Sequence, residues 1–366
     1  MSFVSFAFLC LFLCTFILIR MAKKEKIRQR VLLLVSFIFY AWWDWRFLFL
    51  LLAEVAVVYL CGRGIEKNKQ KKIYLIVAIS ICLTILGFFK YFNFFLSSFV
   101  YIFQIQNVGA LRIILPVGIS FYTFQAISYV ADVYKGTIQA EHKFERVCLY
   151  ICFFPQLVAG PIVRASEFLP QLEKEHPIQK ENVTWGLQVF LFGIIKKIVI
   201  ADRLSVCVDA VWNSPMAYSG AALLCAVISY MIQIYCDFSG YSDMAIGVAK
   251  IFGYDLTRNF NLPYASKNPT EFWRRWHISL SEWLRDYLYI PLGGNRKGKV
   301  HQYCNLMITM LLGGLWHGAS WTFVFWGLYH GIALVLHKIA KPYLRIKGKI
   351  WDVIRIIINN SNFAFK

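Results

Sequence analysis

The chain has 366 residues, 58% of them hydrophobic and 17% aromatic but only 16% charged, with a mean hydropathy of +0.54. Soluble domains carry about 25% charged and about 45–50% apolar residues, so this balance excludes a soluble globular domain, a disordered chain and a secreted disulfide scaffold, and fits a polytopic membrane protein. The net charge of +19 would suggest nucleic-acid binding in a soluble chain, but no nucleic-acid-binding fold motif accompanies it here.

Taken from the N-terminus, the apolar run Phe3–Ile19 lacks a basic leader region and ends in Arg20 rather than at a small-residue cleavage site. It reads as a first membrane span with its N-terminus outside, not as a cleaved signal. Three basic clusters lie beside apolar runs: Arg20, Lys23, Lys24, Lys26, Arg28 and Arg30; Arg63, Lys67, Lys69, Lys71 and Lys72; and Lys338, Lys341, Arg345, Lys347 and Lys349. Under the positive-inside rule they mark cytoplasmic loops. A bilayer crossing takes roughly 20 apolar residues. The candidate spans are 3–19, 31–43, 47–61, 73–95, 113–130, 185–201, 219–236 and a long stretch from 305 to 337. The second and third are short and meet at Trp42, Trp43, Asp44, Trp45 and Arg46, a headgroup-like boundary, so 31–61 is expected to be a hairpin. The run 147–159 is too short to cross unaided and contains Pro155; it could dip in and return where protein or water satisfies its backbone. With no fixed-period repeat and no low-complexity linker, 1–366 reads as a single all-α membrane domain.

Seven of the ten cysteines lie in or at the ends of apolar runs, and no C-x-x-C pair occurs, which points away from zinc or redox chemistry; no metal site is expected. The informative region begins at Tyr235. Asp237, Ser239, Ser242 and Asp243 follow directly on an apolar span, where polar groups either cap a helix end at the interface or line a tunnel. Asn268-Pro269 is an N-cap signal with proline at the first helical position. At 100° steps after it, Trp273, Trp276, His277, Leu280, Trp283, Leu284 and Tyr287 fall on one side, and Arg274, Arg275, Glu282, Arg285 and Asp286 on the other. That pattern predicts one amphipathic helix, lying along the interface or packed inside the protein. His277 on its apolar face is either a satisfied structural histidine or a functional one; the arginines either snorkel and pair with the acids or bind ligand. The turn Pro291–Gly298, with Arg296, Lys297 and Lys299, suits lipid headgroups or a donor's phosphates, and no P-loop or dinucleotide fingerprint occurs.

His317 lies in a run without charges, among Gly313, Gly314, Gly318, Trp316 and Trp321. A histidine so placed must be hydrogen-bonded, and burial favours its neutral ring. It is either a helix-packing group or the general base a hydroxyl nucleophile needs. His330 lacks this glycine setting and reads as structural.

The stretches FWRRWHISLSEWLRDYLYIPLGGNRKG and GGLWHGASWTFVFWGLYHG, with FYAWWDWRFLFLLL, PVGISFYTFQAISYVADVY, FFPQLVAGPIVR and FGIIKKIVIADRL, resemble the membrane-bound O-acyltransferase family, in its bacterial alginate and peptidoglycan O-acetylation branch. The resemblance covers most of the chain. It implies a helix bundle with re-entrant or interfacial helices around a tunnel, in the bacterial cytoplasmic membrane, with His317 of the WHG motif catalytic and His277 of WRRWH as a second functional histidine. Asp237, Ser239, Asp243, Trp273, Trp276, Trp316 and Arg275 are the tunnel or substrate-binding candidates. The resemblance further implies acetyl-CoA as a cytoplasmic donor substrate with no bound cofactor, and an extracytoplasmic acetyltransferase partner and cell-envelope or exopolysaccharide acceptor, in contact with membrane lipid and without nucleic acid. The alternatives are D-alanyl transfer to teichoic acid within the same family, a transporter or flippase for an envelope intermediate, and a scaffold without activity. Relatives usually continue with further spans where this sequence stops, at Asn359–Lys366, which raises the expectation of a C-terminally truncated chain.

Overall fold

The computed structural model describes residues 1–105, 109 and 111–341, and the regular structure of these residues is entirely helical. The basic Arg345, Lys347 and Lys349 and the polar end Asn359–Lys366 lie outside the described residues. The chain groups into two compact units, Met1–Gly186 with Val248–Leu256, and Leu187–Gly247 with Thr257–Lys366.

Among the described residues, five helices are long and apolar enough to cross a membrane: Arg46–Lys67, Lys71–Phe103, Lys180–Asn213, Gly220–Ile251 and Trp321–Ala340. The protein is thus a multi-pass membrane protein. The other candidate spans are helices of 16 or 17 residues, Phe6–Met21, Glu25–Ala41 and Ile119–Lys135. The hairpin expected at 31–61 is present, its helices Glu25–Ala41 and Arg46–Lys67 joined at exposed Trp42, Trp43 and Trp45. Two spans run beyond their apolar runs, to Phe103 and Asn213, and each contains a π turn, at Gly87–Tyr91 and Ile195–Ala201, that holds lysine within the helix.

In the first unit, the residues from Val147 to Leu157 are all buried. A segment too short to cross has its backbone polar groups met by protein there. The Phe154 N–H donates to Ser36 Oγ at 3.1 Å, and the Gln156 amide donates to the Tyr150 carbonyl at 2.5 Å. Phe8, Phe39, Phe154 and Phe252 pack their rings around this segment at 5.6–6.3 Å.

In the second unit, the stretch read as one span from 305 to 337 is two helices, Lys299–His317 and Trp321–Ala340, broken at Gly318–Ser320. They run antiparallel and nearly in backbone contact. A Cβ on Gly314 would meet the Phe323 carbonyl at 2.2 Å, one on Gly327 the Met310 carbonyl at 2.5 Å, and one on Gly331 the Met307 sulfur at 2.8 Å. Glycine is needed here because no side chain fits between helices this close, as in small-residue helix crossings within bilayers. Gly193 and Gly240 make a second such crossing between Lys180–Asn213 and Gly220–Ile251. Gly314→Ala should lower the melting temperature of the detergent-solubilised protein, by overpacking of about 1–3 kcal/mol. Gly87→Ala, with nothing within 4 Å of its added Cβ, should not. Equal melting of Gly314→Ala and wild type would show that the two helices do not meet there.

Candidate active site

The Asn268 side chain caps the helix Pro269–Trp273 by accepting from the Glu271 N–H at 2.9 Å, as its sequence signal suggests. The single amphipathic helix expected after it is not formed. The chain turns at Arg274–His277, restarts as Ile278–Leu284 and widens into a π turn over Arg285–Tyr289. His277 sits at the break with φ +43°, in the left-handed region. The cause is competition from another segment. The Asn261 N–H donates to the Arg275 carbonyl and the Ile278 N–H to the Asn259 carbonyl, each at 2.9 Å, in place of continued helical bonding. The division of faces largely survives the break: Trp276, His277, Leu280, Trp283 and Leu284 are buried, whereas Arg274 and Arg285 are exposed.

Around this turn the histidines alternate with aromatic rings. His277 packs edge-on against Phe238 at 4.6 Å and Trp316 at 5.5 Å. Trp316 meets His317 at 5.1 Å, and His317 meets Trp326 at 4.9 Å. Trp326 then meets His330 at 4.5 Å, and Trp273 closes on His330 at 5.2 Å and on Trp326 at 5.7 Å. His330, read from the sequence as structural, therefore belongs to the same cluster. The signal for it was available in its spacing, four residues after Trp326 on one helix face.

The two principal histidines differ in access. His277 is wholly enclosed, and burial depresses its ring to a pKa of about 3, leaving it neutral. His317 is only half-buried and lies on the wall of a cavity of about 560 Å³. One face of Lys299–His317 supplies that wall with Leu306, Thr309, Met310 and Gly313. Leu280, Leu284, Trp273, Trp326 and Leu334 add apolar surface, and Arg274, Lys338 and Arg285, the last paired with Asp286 at 2.6 Å, bring positive charge beside the one carboxylate of Glu282. Thr270, on the same wall, is tied to His337 Nδ1 at 3.0 Å.

The other sequence candidates lie elsewhere in this unit. Trp276, 3% exposed, stacks on Phe272 at 5.6 Å inside an aromatic core, and Trp316 lies between the two histidines; neither lines the cavity. Arg275 pairs with Glu271 at 2.7 Å, an acid other than the expected Glu282 and Asp286. Asp243 pairs with Lys196 at 2.6 Å, and Asp237 with Lys197 at 2.5 Å. Ser239 is buried, and its hydroxyl has no hydrogen-bond partner among the described residues. The turn Pro291–Gly298 is held by Asn305, whose amide donates to the Gly294 carbonyl at 3.0 Å, and Arg296, Lys297 and Lys299 are left exposed. Among the described residues, no group of three His, Cys, Asp or Glu side chains is arranged to hold a metal ion.

Residues 143–363 match the family model described as "MBOAT, membrane-bound O-acyltransferase family". The chain belongs to the membrane-bound O-acyltransferase family. It is 42% identical over 346 residues to a Pseudomonas aeruginosa protein named "Probable alginate O-acetylase", covering 92% of this chain and 66% of that protein. To the peptidoglycan O-acetyltransferase of Helicobacter pylori it is 41% identical over 363 residues, covering 91% of this chain and 69% of that enzyme. The teichoic acid D-alanyltransferase of Bacillus subtilis is more distant, 28% identical over 264 residues, with 68% of this chain and 66% of that protein covered. The chain thus spans about two thirds of the length of these relatives.

The Lys196–Asp243 geometry separates an ion pair that holds two helices from a tunnel wall. Asp243→Ala should leave a half-buried lysine without its carboxylate and destabilise the protein by about 1.5–3 kcal/mol. The double variant Lys196→Met/Asp243→Leu should recover both melting temperature and any transfer activity. A stable but inactive double variant would instead assign Asp243 to the substrate path.

Proposed function

We propose that this chain is an O-acyltransferase of the bacterial cytoplasmic membrane that moves an acetyl group from a cytoplasmic thioester, acetyl-CoA, to a hydroxyl acceptor, with His317 as general base. The acetyl group goes on to a cell-envelope polysaccharide or peptidoglycan, directly or through an extracytoplasmic partner transferase. The observation that carries the reading is the His317 ring on the wall of a cavity that has an apolar face and an Arg274, Arg285 and Lys338 edge. An apolar wall suits the arm of a thioester carrier, and guanidinium and ammonium groups suit its phosphates. Lys338 belongs to the third basic cluster, so the positive-inside rule favours a cavity that opens to the cytoplasm.

In the proposed step, the acceptor O–H gives its proton to the unprotonated nitrogen of the imidazole while its oxygen attacks the thioester carbonyl carbon. The C–S bond breaks, and the leaving thiolate takes the proton from the imidazolium, so the ring returns to its starting state. His277, enclosed and neutral, would act from behind Trp316 by orienting the reacting group or stabilising charge. Acetyl is preferred to D-alanyl because the relatives named for acetyl transfer are 41–42% identical and those named for D-alanyl transfer 27–28%. The transporter and scaffold alternatives gain no support from the cavity.

Protein reconstituted in vesicles with labelled acetyl-CoA and a glycan acceptor, or a partner transferase, provides the test. Loss of a general base lowers such rates by about 10²–10⁴, and His317→Ala should fall in that range while melting like wild type. Arg274→Ala and Lys338→Ala should chiefly raise KM for the donor. Transfer by His317→Ala at the wild-type rate would overturn the mechanism.

A further inference from the structure

Strain at His277 needs something to hold it. A left-handed backbone at a residue other than glycine is strained and persists only where its surroundings enforce it. Ser281 contributes from the following helix, its N–H donating to the His277 carbonyl at 3.0 Å and its hydroxyl to the Trp276 carbonyl at 3.2 Å. Further ties come from one segment, and within it from one side chain. Asn259, 1% exposed, accepts the Ile278 N–H on its own carbonyl. Its Oδ1 accepts from the Ser279 hydroxyl at 2.6 Å, and its Nδ2 donates to the Ser242 hydroxyl at 3.1 Å. Ser242 and Ser279 are themselves buried, at 1% and 4% exposure. The two ends of a single amide thus connect the helix Gly220–Ile251 to the residues just after His277, and Phe238, one turn before Ser242 on that helix, packs on the His277 ring.

We propose that Asn259 is the positioning residue for His277: by joining Ser242 to Ser279 it holds the His277 turn and so fixes the ring between Phe238 and Trp316. The inference rests on the reading that His277 takes part in transfer, but its placement can be tested without activity. An amide suits this post because it presents an acceptor and a donor at once. Loss of the side chain leaves both serine hydroxyls buried without it, and only the bonds of Ile278, Asn261 and Ser281 then hold the turn, none of which reaches the helix Gly220–Ile251.

The test uses the full-length protein in detergent, with isotope-labelled histidine, the His277 signal assigned by its loss in His277→Asn. In wild type the enclosed ring, packed by Phe238 and Trp316, which do not titrate, should stay neutral between pH 5 and 8. In Asn259→Ala, and to a smaller degree in the milder Ser279→Ala, the ring should begin to titrate towards the ordinary value of about 6.5. The variants should also lower kcat about tenfold or more, with less than about a threefold change in donor KM, the pattern of an interaction made in the transition state. A His277 ring that stays neutral in both variants overturns the proposal, and Ser279→Ala decides if Asn259→Ala does not fold. A ring that titrates while kcat is unchanged leaves the positioning intact and removes His277 from the reaction instead.

Discussion

The close approach of Gly314 to Gly327 governs the geometry of the candidate site. Two helices whose backbones nearly touch leave no space for side chains between them, so the bulky residues of Lys299–His317 are turned to the flanks. On one flank, Leu306, Thr309, Met310, Gly313 and His317 recur at helical spacing and form the cavity wall. The helix ends at His317, and the short break at Gly318–Ser320 sends the chain straight back, which brings Trp326 against the same histidine. The glycines read from the sequence as a setting for His317 thus act through helix packing.

Burial sorts the histidines that share this aromatic cluster. The enclosed His277 stays neutral and takes its surroundings from packed rings, which bring polarisable edges and faces but no mobile water. His317 presents its ring to an open volume, where a reacting group could be met. The same residue type therefore serves an internal and an external position a single tryptophan apart, with Trp316 in ring contact with each.

What the sequence made legible was local. The hairpin around Trp42–Trp45, the Asn268 cap and the polar and apolar sides around His277 all follow from residues close in the chain. What it concealed was set by partners far away. The break at His277 comes from hydrogen bonds to Asn259 and Asn261, which no periodicity encodes. Asp237 and Asp243, two tunnel candidates, meet lysines 40 and 47 positions earlier, so their ion pairs could not be read from spacing. In the long 305–337 run the glycines permit a break or a close backbone approach, and both occur, but apolar character continues across Gly318–Ser320 and does not say that the chain reverses there.

The π turn at Ile195–Ala201 has a mechanical consequence. Adjacent residues on an α-helix point about 100° apart, yet Lys196 and Lys197 both reach carboxylates on the one helix Gly220–Ile251, on either side of the Gly193–Gly240 crossing. Sliding either helix along the other by one turn, about 5.4 Å, would part both ion pairs and push side chains into the glycine contact. The pair therefore has a locked register and cannot serve as a piston. Any movement beside His317 in this unit then falls to its shorter, broken segments, where the backbone already bends.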